Sequence, residues 1–265
     1  MGDDRYLLDN RAAAAGVRFQ ALSAIFDPST FRHLDELGIG PGWRCWEVGA
    51  GGVSVVRWMA DRVGDDGRVL ATDIDVSWAQ EAAGSMVEVR RHDVAHDAAP
   101  DELFDLVHAR LVLVHVVDRH EALQAMIRVL RPGGWLVVED ADPALQPLSA
   151  LDPRGPEDEL ANKLRTGFRE LMSGRGVDLA YGRKLPRLLR QGGLVDVAAD
   201  AYFPVALAVC AQLETATIAM IGDDLVAHGV ATAEEISLHL SNVAAGRLDL
   251  AQPPMISAWG RRHPL

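Results

Sequence analysis

Between Trp43 and Asp140, short apolar β-branched runs alternate with amphipathic stretches, and no other feature of the chain constrains its fold so strongly. The strand-like runs fall at 44–48, 68–72, 87–90, 104–108 and 135–139. Helical stretches follow at 53–63, 76–83 and 119–130, the last closed by Arg131-Pro132-Gly133-Gly134, where proline and glycine end a helix and turn the chain. Near-continuous apolar strands joined by amphipathic crossovers require a parallel sheet covered on both faces.

The flanks extend this plan. Residues 6–26 read as a helix with Leu7, Leu8, Ala14, Val17, Leu22 and Ile25 as its apolar positions. Asp27-Pro28-Ser29-Thr30 is expected to break it, and a second helix to run over 30–37, the two forming a lid. After Asp140 comes a connection carrying Pro143, Pro147, Pro153 and Pro156. Helices at 157–173 and 183–191, a strand at 195–202, helices at 206–228 and 232–245 and a last strand at 255–260 follow. Thr232 with Glu235 three residues on forms a capping-box signature. The sum is a doubly wound α/β chain with a mostly parallel seven-stranded sheet. The insertion of about fifty residues before the last strand is too long for a hairpin and reads as a helical cap. The expected divisions are a helical lid over 1–40, a ligand-binding core over 41–142, and a remainder over 143–265 with its cap at about 205–250.

Composition narrows the partners. Of 265 residues, 26 are Lys or Arg and 38 are Asp or Glu, a net charge of −12 that repels phosphate backbones and anionic membrane surfaces. A small neutral or cationic molecule suits this chain better than nucleic acid or a membrane. The oligomeric state stays open, a homodimer among the options. Cys45 and Cys210 form no metal-binding spacing, and Cys45 lies in an apolar run that suits a buried thiol. No charged leader with an apolar run opens the chain, and no apolar stretch reaches roughly 18 residues, so a reducing cytoplasm is the expected compartment.

Glu47-Val48-Gly49-Ala50-Gly51-Gly52 follows the first strand and precedes a helix. Glycines let the backbone turn sharply and approach a ligand, and the helix presents free N–H groups. Asp73 ends the second strand about two dozen residues after Gly49, where a carboxylate can take both hydroxyls of a ribose. The pair points to an adenosine ligand. A dinucleotide fingerprint needs a third glycine, and that position is Ser54. Glu47, just ahead of the glycines, suits a ligand bearing an ammonium and a sulfonium better than a pyrophosphate.

With Val69-Leu70-Ala71-Thr72-Asp73-Ile74-Asp75, His92-Asp93-Val94, Phe104-Asp105-Leu106-Val107-His108-Ala109-Arg110 and Leu130-Arg131-Pro132-Gly133-Gly134-Trp135, this turn resembles the successive motifs of class I S-adenosylmethionine (SAM)-dependent methyltransferases. The likeness spans about residues 40–140. It is strongest to the small-molecule branch common in actinobacterial secondary metabolism, which the closing Ala258-Trp259-Gly260-Arg261-Arg262 also resembles. The resemblance implies a Rossmann-like fold, SAM as methyl donor and S-adenosylhomocysteine (SAH) as product. It implies that Glu47, Gly49, Ala50 and Gly51 surround the methionine part, that Asp73 binds the ribose with Ile74 against the adenine, and that Asp93 and Val94 meet the adenine edge. The backbone around Ala109 would hold the methionine ammonium. One position departs from the pattern: Val53 stands where the family usually has glycine, and is expected to crowd the methionine tail or displace the helix.

Methyl transfer is an in-line displacement in which positioning supplies most of the catalysis, and a base is needed only where the acceptor must lose a proton. Candidates are His115, where the family often places a pocket-facing histidine, and His108 and Arg110 at the end of the fourth strand. Each also has a packing role open to it. Tyr6, Arg18, Asp140 and Tyr181 are candidate substrate contacts, with Asp142 as a second strand-end acid or turn cap. No histidine pair has metal-ligand context, no Gly-x-Ser-x-Gly elbow occurs, and no metal is expected. The leading function is methyl transfer to O, N or C of a small metabolite. The alternative is a methyltransferase-like protein that binds SAM but catalyses a cyclisation or rearrangement, or only binds.

Overall fold

The computed structural model of the protein describes residues 7–8 and 13–264. Its elements are α1 (Ala13–Glu36), β1 (Arg44–Val48), α2 (Ser54–Val63), β2 (Arg68–Asp73), β3 (Val87–Arg91), β4 (Phe104–Arg110), α3 (Arg119–Arg128), β5 (Leu130–Ala141), α4 (Pro156–Gly174), α5 (Leu185–Gln191), β6 (Val195–Tyr202), α6 (Ala208–Ala227), α7 (Ala233–Ala244) and β7 (Met255–Arg261). The seven strands form one sheet in the order β3-β2-β1-β4-β5-β7-β6. The first five are parallel, and β7 runs antiparallel to both β5 and β6. The expected seven-stranded, mostly parallel α/β sheet is what the chain forms.

The chain divides into two compact units. The sheet unit comprises, of the described residues, Phe26–Ala141, Tyr181–Tyr202 and 255–264. One face of its sheet carries Cys45, Val69, Ala71, Leu106 and Val137, buried against Val55, Val56, Met59 and Val63 of α2 and Leu34 of α1. Such apolar burial, at about 25 cal/mol per Å², is what holds crossover helices to a sheet. Phe31 stacks on Trp58 at 4.6 Å between centroids, fixing α1 beside α2 on that face. The helical unit comprises, of the described residues, 7–8 and 13–25, Asp142–Ala180 and Phe203–Pro254. Its core joins Leu8 to Leu160, Leu164 and Leu171 of α4 and Ile218, Ile221 and Leu225 of α6. The capping box forms at the head of α7: Thr232 accepts from the Glu235 amide, and the Glu235 carboxylate accepts from the Thr232 amide at 2.9 Å.

Three local expectations are corrected. Asp27-Pro28-Ser29-Thr30 does not break the helix, because Pro28 lies inside the continuous α1. An interior proline costs about 3 kcal/mol, and tertiary anchors on both sides of it hold the turn. Asp27 pairs with Arg110 at 2.9 Å, and Thr30 donates to Glu139 and accepts from Arg110. The helix expected over 76–83 shrinks to a 3-10 turn at Ala79–Ala82. The Asp75 carboxylate accepts from the Ser77 amide at 3.0 Å, a local bond that competes with helix formation. The last parallel strand also begins five residues early, at Leu130, and α3 ends at Arg128.

Candidate active site

Gly49 leaves β1 with φ +67°, a left-handed turn that an L side chain rarely adopts. A Cβ there would come within 2.3 Å of Val112 Cγ2. Val112 reaches that place because β4 ends at Arg110 and Leu111, at φ +58°, turns the chain, its amide donating to the Glu139 carbonyl at 2.8 Å. A leucine in this conformation carries roughly 1–2 kcal/mol of strain. The sheet edge is thus built with Gly49 as the thin point between β1 and the turn after β4.

Asp73 locks the second strand to the glycine turn. One carboxylate oxygen accepts from the Gly51 amide and the other from the Asp75 amide, both at 2.9 Å. Burial pushes the Asp73 carboxyl upward, and those amide bonds hold it partly back. Each carboxylate oxygen keeps a second lone pair, so the group can still take a diol. Ala50 donates to the Thr72 carbonyl at 2.9 Å. Ile74 is an exposed apolar side chain beside Asp73, placed as an aromatic base would need, and Val94 is buried nearby in sequence to Asp93. Asp93 accepts from the Ala95 amide and from His96 Nδ1, at 3.0 and 2.9 Å. Burial would raise its carboxyl, but the His96 and amide bonds outweigh that and lower it. It therefore caps its own turn as well as facing solvent. Ala109, fully buried, pairs with Val48 across the β1–β4 step, so its backbone lies next to the glycine turn.

Val53 caps α2 with φ −103°, an ordinary conformation for any residue, so the backbone here does not demand glycine. Its side chain is half-buried.

His108, Arg110 and the acids divide into two groups by strand face. Glu47 and His108 stand opposite each other on β1 and β4, and Glu139, Ser257 and Asp200 form a row across β5, β7 and β6. His108 Nδ1 lies 2.5 Å from Glu47 Oε2, and Nε2 lies 3.3 Å from Glu139 Oε2. Burial alone would depress the imidazole, but the Glu47 charge and bonds to both carboxylates hold it up at about 9. The same bonds keep Glu139 well below the usual carboxylate range against its burial. Glu139 also accepts from Ser257 Oγ at 2.7 Å and meets His33 Nδ1 at 3.1 Å. His33 Nε2 then meets Asp200 at 2.9 Å. Glu139, Ser257, Thr30, His33, Asp27 and Asp200 were not among the sequence-based candidates. The available signal was a charged residue inside an otherwise apolar strand, since a buried charge must be paired.

On the other face, Asp140 is fully buried, and neither carboxyl oxygen has a hydrogen-bond partner among the described residues. Burial pushes it well above the usual range; the amides of Val114, Leu113 and Val112 temper that rise without meeting hydrogen-bond geometry. Tyr181 is buried with the Arg119 guanidinium 5.6 Å from its ring centre. His115 is half-buried, its amide bonded to the Val112 carbonyl at 3.0 Å. Asp142 and Arg18 belong to the helical unit, where Asp142 accepts from the Leu145 amide at 3.0 Å and so caps a turn. Tyr6 lies outside the described residues. Among the described residues, no group of three or more His, Cys, Asp or Glu is placed to hold a metal ion, and no helix is long and apolar enough to cross a membrane.

This geometry has counterparts. The "Methyltransferase domain" family matches residues 46–138. The ubiquinone/menaquinone biosynthesis C-methyltransferase UbiE of Vibrio parahaemolyticus is 34% identical over 125 residues, covering 44% of this chain and 48% of the relative. Phosphoethanolamine N-methyltransferase 1 of Arabidopsis thaliana is 25% identical over 178 residues, 65% of this chain and 33% of its own length. The chain spans about half the length of the UbiE relatives it matches, or less for the plant enzyme. Among solved structures, Haemonchus contortus phosphoethanolamine N-methyltransferase 2, in complex with phosphomonomethylethanolamine and SAH, superposes with a TM-score of 0.59 at 15% identity over 98% of this chain and 60% of that one. A SAM-dependent methyltransferase from Aquifex aeolicus gives 0.52 at 14% identity, over 95% of this chain and 100% of its own. At such identities the likeness speaks to the fold. Residues 46–138 thus match the methyltransferase-domain family, and the chain as a whole adopts a Rossmann-like fold shared with solved methyltransferases.

Proposed function

We propose that this protein is a SAM-dependent methyltransferase acting on a small-molecule metabolite, in the cytoplasm and within secondary metabolism. One observation carries the reading: inside the segment matched by the methyltransferase-domain family, Asp73 is bonded to the Gly51 amide, joining a carboxylate suited to a ribose to a turn whose left-handed φ and close Val112 contact at position 49 favour glycine. These residues fit the donor. Asp73 takes the ribose hydroxyls, Ile74, Asp93 and Val94 meet the adenine, and Glu47, Gly49, Ala50, Gly51 and the Ala109 backbone surround the methionine end. When bound, SAM supplies a methyl carbon already activated by its sulfonium.

The chain's own part is to orient and exclude water. SAM bound there would supply its methyl to an acceptor atom held beside it, with SAH as the product. Where that acceptor carries a proton, His115 at the mouth of β4 is the residue to receive it. Asp140 and Tyr181 form the acceptor side in this reading, supported by an uncommitted buried carboxyl next to the turn that bears His115. The net charge of −12 favours a neutral or cationic acceptor over nucleic acid, and two buried unpaired cysteines suit a reducing compartment.

Incubation with methyl-labelled SAM and a panel of acceptors tests this: phosphoethanolamine, quinone precursors, and phenol-, amine- and enol-bearing metabolites. Label transfer with matching SAH release to at least one acceptor is the expected result. Tight SAM binding with no SAH from any acceptor class would overturn transfer and leave a SAM-binding protein of another activity.

A further inference from the structure

Strands that cover a sheet interior rarely carry charge, yet one row of this sheet is polar from β1 to β6. Glu47, His108, Glu139, Ser257 and Asp200 come from five successive strands, and Thr30 and His33 of α1 close over them. Glu47, His108, Glu139, Thr30, His33 and Ser257 are all at most 2% exposed. A buried ionic row with a partner removed is strongly destabilising, so each member fixes its neighbours. The row begins at Glu47, two residues ahead of Gly49.

We infer that His108 is a positioning residue for the donor site: clamped between Glu47 and Glu139, it fixes the Glu47 carboxylate and aims it at the cationic end of SAM. This rests on the proposed SAM site. His108 itself is fully buried, with both ring nitrogens engaged, so it touches no acceptor and acts only through Glu47. An imidazolium between two carboxylates leaves the row with net negative charge for the ligand. The groups that face His108 are Glu47 of β1, Arg110 of its own strand, Glu139 of β5, Ser257 of β7 and, from α1, Asp27, Thr30 and His33, the last backed by Asp200 of β6 and Arg32. Arg110 is spent on Asp27 and Thr30, so the cation set against Glu47 is His108.

The test compares wild type, His108→Asn and His108→Gln by calorimetry with SAM and with adenosine from pH 6.5 to 9.5, alongside imidazole ¹⁵N NMR of the wild type and of Glu139→Gln. Adenosine uses the Asp73 end and lacks the methionine charges. SAM's own amine titrates identically for every variant, so the ratio of affinities at each pH isolates the protein. The expected result is at least tenfold weaker SAM binding by the Asn variant at pH 7, with adenosine affinity within twofold. That ratio should shrink as the pH passes about 9, where the wild-type imidazolium is lost. A ¹⁵N signal that stays in the imidazolium form to about pH 9, and moves to lower pH in Glu139→Gln, identifies His108 without either His108 variant having to fold. A His108 signal neutral at pH 7, or equal loss of SAM and adenosine, or unchanged SAM binding by the variants would overturn the inference. Wild type that binds adenosine but not SAM would sink the SAM reading, and this inference with it, while His108 variants indistinguishable from a SAM-binding wild type would sink the inference alone.

Discussion

Gly49→Ala is expected to damage the protein through two separable terms. The first is conformational: φ +67° is left-handed, which costs an alanine roughly 1–2 kcal/mol. The second is steric: the new methyl would sit 2.3 Å from Val112 Cγ2, so Val112 must leave its place, at a typical overpacking cost of about 1–3 kcal/mol. Together they predict a loss of about 2–5 kcal/mol in urea denaturation. Repeating the substitution in a Val112→Ala background separates them. The other contacts of the added methyl with Val112, to Cβ and Cγ1, are at 3.4 Å, so removing both γ-methyls leaves only an ordinary contact. Gly49→Ala should then cost only the conformational term, a coupling of about 1–3 kcal/mol between the two sites. A cost below about 0.5 kcal/mol in the native background, or the same cost in both, would refute the reasoning. Because Val112 lies in the turn after β4, the same double-variant cycle read by SAM calorimetry reports whether that turn and the glycine turn share one ligand.

Arg110→Ala strands Asp27 in a partly buried place and is expected to cost about 3 kcal/mol at pH 7 in denaturation. Burial already raises the Asp27 carboxyl, so the deficit should shrink toward pH 5 as Asp27 takes a proton, and Asp27→Asn should restore part of it; a deficit independent of pH counts against the pairing. His108 is held at about 9 in the folded chain against 6.5 when free, so its stabilisation is fully present below about pH 6.5 and is lost as pH rises through about 9. The full term is on the order of 3 kcal/mol, so wild type should lose more stability between pH 6 and pH 9.5 than His108→Asn does; equal losses would contradict it. Thr232→Ala removes the capping box of α7 and should cost about 1 kcal/mol while leaving SAM affinity unchanged.

What could be read from the chain was whatever depends on local pattern. The runs at 44–48 and 68–72 became β1 and β2 to within a residue, because a strand buried on both faces is written as consecutive apolar residues. Thr232 and Glu235 form their box because the whole motif lies within four residues. The Gly49 turn and Asp73 were legible for the same reason, one strand end each. Pro28 was misread because its penalty is local while the bonds that overrule it come from Arg110 and Glu139, some 80 to 110 positions away in sequence. The polar row was invisible as a row. Glu47 and His108 each read as single strand-end candidates, and only the order β1-β4-β5-β7-β6 makes neighbours of Glu47, His108, Glu139, Ser257 and Asp200. Val53 shows the converse: a sequence departure from a glycine that the backbone, at φ −103°, does not require.

The central claim is that SAM is held where Asp73 meets the glycine turn, and calorimetric titration of SAM into wild type and Asp73→Asn, with unfolding monitored in parallel, tests it most directly. The account predicts saturable one-to-one binding by wild type and a loss of roughly ten- to a hundredfold in the variant, the worth of a charged hydrogen bond to a ribose hydroxyl. No saturable binding by a folded wild type, or equal affinity in a folded Asp73→Asn, would contradict it.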